Sequence, residues 1–357
     1  MKIAVLGGGN GGMTMAAHVA LMGHEVRIFD KYPQVLEGFA GKRQILLDGA
    51  LGRDIAKLAI VSTALAEVVS DADMVMVVTP AFAHKDLAQK LAPLLKKDTI
   101  IVLHPGRTGG ALEFSQIFHS LASGVCPPIV EAQTLLYACR RTGLEEVMVY
   151  GVKRRVDFAV LPASSTSMVA KKLCSLFSQF VPVANVLETS LLNVGAIFHP
   201  APTILNSAWI EMTKGNFEHY RQGISPSVAL VLEKIDEERI GIAGALGVHT
   251  ITTVQWLQDV YGITEGNLYS AIQANKVYSG IKAASSLDTR YISEDVPMSL
   301  VPLAHLGKLA GVGTPTMDAI IKLACVIHKT DYRIEGRTLE KMGLDHCPVS
   351  ELGNFVA

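Results

Sequence analysis

Residues 2–12 read KIAVLGGGNGG, a short apolar run that passes directly into a cluster of glycines. Gly7, Gly9 and Gly12 satisfy the spacing G-x-G-x-x-G, and a helix-compatible segment follows. A second apolar run then ends in Asp30, eighteen residues after Gly12. In a strand–turn–helix unit the first glycine allows a tight turn, the second lets a pyrophosphate approach the backbone, and the third lets the helix pack closely. The acid accepts hydrogen bonds from a ribose. The stretch therefore predicts a dinucleotide-binding unit.

The acidic residue at the end of the second run indicates which dinucleotide is bound. Asp30 favours NAD over NADP, because a carboxylate would repel a 2′-phosphate. Arg27 and Lys31 lie close by in sequence and would soften that repulsion, so NADP is kept as an alternative. Asn10 and Gly11 lie in the same loop and are also candidate cofactor contacts. The alternative is a glycine-rich loop with no ligand, which the strand, helix and acid around it disfavour.

Length and composition place limits on the class of protein. The chain has 357 residues, 49% of them hydrophobic, and a net charge of −1, which suits two domains and gives no sign of a nucleic-acid partner. No apolar run has the length of a membrane span, and the N-terminal strand does not match a signal peptide. The five cysteines form no C-x-x-C pair, so we expect no metal site and a cytoplasmic location.

The order of predicted elements indicates two domains. Strand-like runs lie at 56–62, 73–80, 99–104, 129–131, 146–153 and 155–162, the last two joined by a turn, and helical spacing lies at 64–69, 82–95, 110–120 and 165–180. This alternation predicts a doubly wound, mainly parallel α/β sheet of the Rossmann type. From 187 onward strand-like runs nearly vanish, and helical spacing appears at 191–213, 227–246, 252–261, 266–275 and 317–328. We therefore expect a Rossmann domain at 1–186 and an all-helical domain at 187–357.

Polar residues that follow the predicted strands are candidates for ligand contacts, because ligands bind at the carboxyl edge of such sheets. Thr79 and Pro80 end one strand and are assigned to the cofactor. Arg107 follows the next strand and could pair with a substrate carboxylate, or it could be a solvated surface charge. Thr134 and Cys139 follow a third strand in an apolar setting, although such a cysteine is more often a small core residue.

The first segment of the helical domain contains a candidate acid–base residue. His199 is followed by Pro200 and Pro202, which disturb a helix and free backbone carbonyls. Asn206 lies seven residues after His199 and would share its helix face, so it is a candidate substrate contact. A lone histidine on an apolar helix is more often a core residue with its hydrogen bonds satisfied, and the pattern alone favours that interpretation.

The chain resembles the opine dehydrogenases, of the octopine dehydrogenase and N-(1-D-carboxyethyl)-L-norvaline dehydrogenase type. The resemblance covers most of the sequence. Five segments carry it. They are the G-x-G-N-x-G motif at 7–12, the segment 131–140, the His-Pro helix at 199–206, the segment RYISEDVP at 290–297 and the segment 311–318. The pairing of the His-Pro helix with the Arg-Tyr…Glu-Asp-Val-Pro segment is the most specific part.

The resemblance implies roles for individual residues. It implies a catalytic pair of His199 and Asp295, and a contact of Arg290 with the cofactor pyrophosphate that helps domain closure. It also places Thr134 near the keto acid and Cys139 near the amino acid. At the position of Arg107 the octopine enzyme has glutamine, so this chain departs from the family there, and its substrates or their binding differ.

The implied reaction is a reversible reductive condensation. An α-keto acid, often pyruvate, and the amino group of an amino acid form an imine that NAD(P)H reduces, with the histidine as acid or base. The alternatives are a two-domain dehydrogenase of the ketopantoate reductase or glycerol-3-phosphate dehydrogenase kind, which uses a lysine, and a non-catalytic NAD-binding regulator. The partners expected are small molecules, with neither nucleic acid nor membrane. The helical domain could support a homodimer, although no seam is evident.

Overall fold

The computed structural model describes residues 1–39, 41–121 and 126–357, which divide into two compact units. The first unit comprises Met1–Gly106, Gly110–Val186 and Val356–Ala357, and the second comprises Arg107–Gly109 and Leu187–Phe355. The main division lies where the sequence changes from alternating elements to helices. The three residues 107–109 are the exception, because they lie with the helices although the residues on both sides of them belong to the first unit.

The first unit contains all twelve strands of the described chain. They are β1 Lys2–Leu6, β2 Glu25–Phe29, β3 Gln44–Gly49, β4 Asp54–Lys57, β5 Ile60–Ser62, β6 Met74–Val77, β7 Ile100–Leu103, β8 Ile129–Ala132, β9 Tyr137–Arg141, β10 Glu146–Val152, β11 Val156–Leu161 and β12 Phe180–Pro182. Its helices are α1 Asn10–Leu21, α2 Leu65–Val69, α3 His84–Leu91, α4 Gly110–Leu121 and α5 Thr166–Leu176.

Eight strands form the main sheet, in the order β12-β11-β8-β7-β6-β1-β2-β5. All neighbours are parallel except β11 and β8, which confirms the predicted mainly parallel sheet. The central strands β6, β7 and β8 are buried at every residue, as expected for strands covered on both faces. Because β1 and β6 are neighbours, the glycine loop after β1 lies at the same sheet edge as the residues after β6.

A second sheet, in the order β4-β3-β10-β9, corrects two predictions. The run 56–62 is not one strand, because the Leu58 amide donates to the carbonyl of Arg43, just before β3 of the small sheet. The next amide, of Ala59, donates to the Val26 carbonyl in β2 of the main sheet. The runs at 146–153 and 155–162 also lie in different sheets. The sequence analysis did not predict β3 and β9, because β3 alternates buried and partly exposed positions and lacks a continuous apolar run.

The second unit is helical. Its helices are α6 Val186–Leu191, which starts at the division, α7 Gly195–Phe198, α8 Pro200–Leu205, α9 Ser207–Thr213, α10 Pro226–Ala245, α11 Thr253–Tyr261, α12 Leu268–Ala274, α13 Arg290–Ser293, α14 Val301–Ala310, α15 Pro315–His328, α16 Tyr332–Glu335 and α17 Leu352–Val356. The predicted helix 191–213 is thus wrong as a single element, because it is interrupted at 192–194, at His199 before Pro200, and at Asn206. Within the described ranges, no helix combines the length and apolar character needed to span a bilayer.

The glycines of the first loop have different structural roles. A methyl group on Gly12 would collide with the carbonyl oxygen of Gly7, whereas one on Gly9 would meet nothing within 4 Å. Gly12 therefore serves the packing of α1 on the sheet, and Gly9 leaves open space at the start of that helix.

We predict that Gly12→Ala and Gly9→Ala separate folding from cofactor binding. Gly12→Ala should lower the free energy of unfolding by about 2 kcal/mol or more, because the helix must shift. Gly9→Ala should leave the melting temperature within a few degrees, and should weaken NADH binding by about tenfold or more, because its methyl group occupies the space a pyrophosphate would need. Thermal unfolding and NADH fluorescence titration would measure both. Equal loss of stability in the two variants would contradict this assignment.

Candidate active site

The glycine loop of the first unit presents a helix N-terminus. Helix α1 begins at Asn10, and Gly9 before it has no side chain to cap the first turn. Free backbone N–H groups and the helix dipole at such a position favour an anion. Gly9 thus lies at the start of the helix, where the sequence predicts the approach of a pyrophosphate, with Gly7 in the turn before it and Gly11 and Gly12 in the first turn of α1.

Asp30 follows β2 and is tied to the glycine loop. Its Oδ2 accepts a hydrogen bond from the Gly8 amide at 2.8 Å, and its Oδ1 accepts one from the Tyr32 amide at 2.9 Å. An ionised carboxylate can accept about four hydrogen bonds. Asp30 therefore fixes the loop and keeps capacity to accept hydrogen bonds from a ribose.

Thr79 and Pro80 follow β6 beside the glycine loop. The Thr79 methyl carbon lies 3.1 Å from the position that a Cβ on Gly7 would take. Its hydroxyl oxygen is shielded from solvent and has no hydrogen-bond partner among the described residues. Because buried polar groups are normally paired, this hydroxyl marks a place where a ligand can supply the partner.

Strand β9 is held against α1 by Asn10 and Cys139. The Asn10 Oδ1 accepts a hydrogen bond from the Arg141 amide at 2.9 Å, and the Cys139 thiol donates to the Asn10 carbonyl at 3.5 Å. Burial raises the pKa of the Cys139 thiol, so the group is a protonated thiol and not a thiolate nucleophile. Thr134 is half-buried between β8 and β9.

Two basic residues in this unit have roles that the sequence analysis missed. The Arg141 guanidinium donates to the carbonyls of Val35, Gly143 and Leu144 at 3.1, 3.0 and 2.6 Å, and so braces the turn after Asp30. The Lys153 ammonium donates to the Leu135 carbonyl at 2.6 Å, and burial lowers its pKa to about 8. In the sequence both residues look like ordinary surface charges, so no local signal distinguishes them.

In the helical unit, His199 lies at the junction of α7 and α8, where Pro200 starts the second helix. Its Nδ1 lies 2.8 Å from Asp295 Oδ2, in hydrogen-bond geometry. The Tyr220 hydroxyl lies 3.3 Å from Nε2, and the Tyr291 ring stacks on the imidazole with centroids 4.2 Å apart. The structure thus brings the two residues together across 96 positions of sequence, a distance that sequence spacing could not indicate.

Asp295 is part of a buried cluster of charges. Its side chain is 1% exposed, and Oδ1 lies 3.0 Å from Arg107 Nη1. The neighbouring Glu294, 2% exposed, lies 3.3 Å from Arg107 Nε and 3.1 Å from Arg290 Nε. Burial acts to raise the pKa of Asp295, but Arg107 and His199 outweigh it and hold the pKa below its ordinary value.

Arg107 has a left-handed backbone, with φ of 62°, although it is not a glycine. Such a conformation costs on the order of 1 kcal/mol and persists only where neighbours enforce it. The next residue supplies that enforcement, because the Thr108 amide donates to the Met298 carbonyl at 3.2 Å and its hydroxyl to Ser190 at 3.1 Å. Arg107 is therefore a buried ion-pair partner and not the solvated surface charge considered from sequence.

Asn206 lies between α8 and α9, and its side-chain nitrogen is used within the fold. It donates to the carbonyls of Pro202 and Gly223 at 2.7 and 2.8 Å. Asn206 therefore ties the C-terminal end of α8 to the Gly223 carbonyl.

Two family models match the chain in the order of its two units. Residues 2–110 match the N-terminus of NAD-dependent glycerol-3-phosphate dehydrogenase, and residues 182–328 match the α-helical domain of NAD/NADP octopine/nopaline dehydrogenase. An opine dehydrogenase of Arthrobacter sp. (strain 1C) is 39% identical over 343 residues, which cover 96% of this chain and 94% of the relative. The chain belongs to the opine dehydrogenase family. It is an NAD(P)-dependent oxidoreductase that acts on CH–NH groups.

Solved structures agree with this fold. Octopine dehydrogenase bound to NADH and L-arginine covers 99% of this chain and 97% of its own, with a TM-score of 0.80 at 22% identity. A ketopantoate reductase from Ralstonia eutropha JMP134 covers 92% of this chain with a TM-score of 0.62 at 17% identity. The latter shares the general two-unit fold, which explains why its class was an alternative on sequence pattern.

The residues of the first unit fit the nicotinamide dinucleotide that the family binds. Three observations support the fit: the open space at Gly9, the unpaired buried hydroxyl of Thr79, and the Asp30 carboxylate fixed to the loop. Each offers a group or a space that a pyrophosphate or ribose requires.

We predict that Asp30→Ala weakens NADH binding by about tenfold and narrows the preference for NADH over NADPH. The variant loses an acceptor for the ribose and the charge that repels a 2′-phosphate. Binding of both cofactors, measured by fluorescence titration, tests it. Asp86→Ala is the control, because Asp86 forms only an exposed pair with Lys90. An unchanged ratio of NADH affinity to NADPH affinity in Asp30→Ala would show that Asp30 does not contact the ribose.

Proposed function

We propose that this opine dehydrogenase condenses an α-keto acid, pyruvate first among candidates, with the amino group of an amino acid, and that His199 and Asp295 form its acid–base pair. The observation that carries the proposal is the 2.8 Å contact between His199 Nδ1 and the buried Asp295 carboxylate. Related octopine dehydrogenase structures with pyruvate or with L-arginine support the two substrate classes.

The Asp295 carboxylate determines which nitrogen of His199 does the chemistry. A buried, ionised carboxylate only accepts hydrogen bonds, so the neutral ring carries its proton on Nδ1. Nε2 is then the nitrogen that exchanges protons with substrate. Asp295 also stabilises the imidazolium once Nε2 has taken a proton, as carboxylates do in other acid–base pairs.

His199 assists the condensation at two points. As an imidazolium it donates a hydrogen bond from Nε2 to the keto oxygen, which makes the carbonyl carbon a better target for the amine. As the C–N bond forms, it protonates the keto oxygen to a hydroxyl and then takes up the proton that the attached nitrogen releases. It gives this proton to the hydroxyl, which leaves as water and yields the iminium. When bound, the reduced nicotinamide supplies the hydride that converts the iminium carbon into the secondary-amine product. Proton transfer of this kind contributes about 10²–10⁴-fold in rate.

Three further residues are assigned to the substrates. Thr134 and Cys139 belong to the segment after β8, and we assign the first to the keto acid and the second to the amino acid. The protonated thiol of Cys139 suits packing against a substrate and not covalent attack. Asn206 is assigned a supporting contact, because its amide nitrogen already bonds to two carbonyls.

We predict that His199→Ala lowers kcat by about 10²–10⁴-fold while NADH binding survives, because the variant loses the proton donor and no group of the glycine loop. Steady-state kinetics and NADH titration measure the two effects. His328→Gln is the matched control, because His328 is a histidine of the same unit whose ring bonds to Tyr332 and to the Leu287 carbonyl. Turnover in His199→Ala equal to wild type would remove His199 from the mechanism.

The reaction class itself is tested by a matrix assay of NADH oxidation. Several α-keto acids are crossed with the common amino acids, and each is also tested alone. Oxidation should require both substrates together, and the product should be a secondary-amine dicarboxylate by mass spectrometry. Oxidation with a keto acid alone at the same rate would indicate a simple keto-acid reductase.

A further inference from the structure

The structure points to an unassigned role for Arg107, and this inference rests on the proposed function of His199. We propose that Arg107 is a positioning residue that keeps Asp295 ionised and aligned with His199, and that it does not bind a substrate carboxylate. The sequence suggested the second role, because a guanidinium near the sheet edge suits a dicarboxylate product.

The first support is that Arg107 already pairs with protein carboxylates. Its Nη1 lies 3.0 Å from Asp295 Oδ1, and its Nε lies 3.3 Å from Glu294 Oε1. Both carboxylates are nearly inaccessible, and the guanidinium itself is 10% exposed. A substrate carboxylate that took over the guanidinium would compete with two buried carboxylates for the same cation, which is unfavourable.

The two oxygens of Asp295 contact different partners, which is the second support. Oδ2 faces His199 Nδ1, and Oδ1 faces Arg107 Nη1. The Oδ2 contact has hydrogen-bond geometry, whereas the Oδ1 contact is an ion pair without it, so rotation of the carboxylate would lose one partner of each kind. Arg107 therefore reaches the imidazole only through the Asp295 carboxylate, as expected of a positioning residue.

The third support is the space that the chain provides for the guanidinium. A methyl group on Gly195 would collide with Arg107 Nη1 and would come within 3.3 Å of Asp295 Oδ1. Gly195 begins α7, and His199 directly follows the last residue of that helix. The absence of a side chain there and the left-handed backbone of Arg107 both serve the same ion pair.

The charge of Arg107 also affects the protonation of the pair. Its positive charge favours an ionised Asp295 and opposes a second positive charge on His199. The titratable and charged groups around the imidazole are Asp295, Glu294, Arg107, Arg290, His219, Tyr220 and Tyr291. Removal of Arg107 takes away a charge that holds the pKa of Asp295 low, so the pH dependence of activity should move to higher pH.

The test compares Arg107→Gln with Arg107→Lys in the full-length enzyme. Arg107→Gln should lower kcat by about 10–100-fold, should leave KM for pyruvate and for the amino acid within about threefold, and should move the half-activity pH upward by ~1 unit. Arg107→Lys restores the charge and should recover much of the pH shift but only part of kcat, because a lysine lacks the planar fork.

A matched control separates positioning from general stability. Arg239 is a fully buried arginine of the same unit, paired with Asp236 at 2.6 Å. Arg239→Lys should lower the melting temperature without moving the pH profile. If Arg239→Lys moves the profile as far as Arg107→Gln does, the proposed role of Arg107 is overturned.

Further kinetic outcomes distinguish a positioning role of Arg107 from a substrate-binding role. A rise of more than tenfold in KM for either substrate, with kcat and the pH profile unchanged, would make Arg107 a substrate clamp. Should Arg107→Gln fail to fold, Gly195→Ala replaces it, because the added methyl group displaces the guanidinium and leaves all charges in place. A fall in kcat at constant KM in Gly195→Ala supports the proposal. Wild-type kinetics in Gly195→Ala overturns it. His199→Ala distinguishes failure of the proposed function from failure of the role of Arg107. Full activity in His199→Ala removes the acid–base pair itself. An inactive His199→Ala together with a normal Arg107→Gln removes only the role of Arg107.

Discussion

The burial of the Asp295 carboxylate is the constraint on which the helical unit depends. A carboxylate removed from water loses several kcal/mol of hydration unless it gains partners of opposite charge or hydrogen-bond donors. Here His199 and Arg107 supply one partner for each oxygen. The helix break after His199 and the missing side chain at Gly195 make room for this arrangement.

The segment 107–109 shows how the fold meets that constraint. It follows β7 of the first unit, yet its three residues lie with the helices. The Thr108 carbonyl accepts a hydrogen bond from the buried Arg337 at 2.7 Å, and the Gly109 amide donates to the Ser190 hydroxyl at 2.9 Å. These bonds hold the backbone so firmly that Arg107 can keep a left-handed conformation.

The sequence predicted those elements of the fold that have a motif or an apolar pattern within a short stretch of chain. The spacing of Gly7, Gly9 and Gly12 and the continuous apolar strands identified the dinucleotide unit, and the family resemblance identified His199 and Asp295 as a pair. What it could not show were contacts between distant residues. The change of sheet between Leu58 and Ala59 depends on which carbonyls the amides meet. The partners of Arg107 lie almost two hundred positions away, so no periodicity could reveal them.

The central claim concerns which nitrogen of His199 carries the proton, and nuclear magnetic resonance of the enzyme labelled with ¹⁵N-histidine tests it most directly. The signal is assigned by its loss in His199→Gln and is followed to a pH at which the ring is neutral. The account predicts a proton on Nδ1 and a bare Nε2, with this preference lost in Asp295→Asn. A neutral ring with its proton on Nε2 in the wild-type enzyme would contradict it.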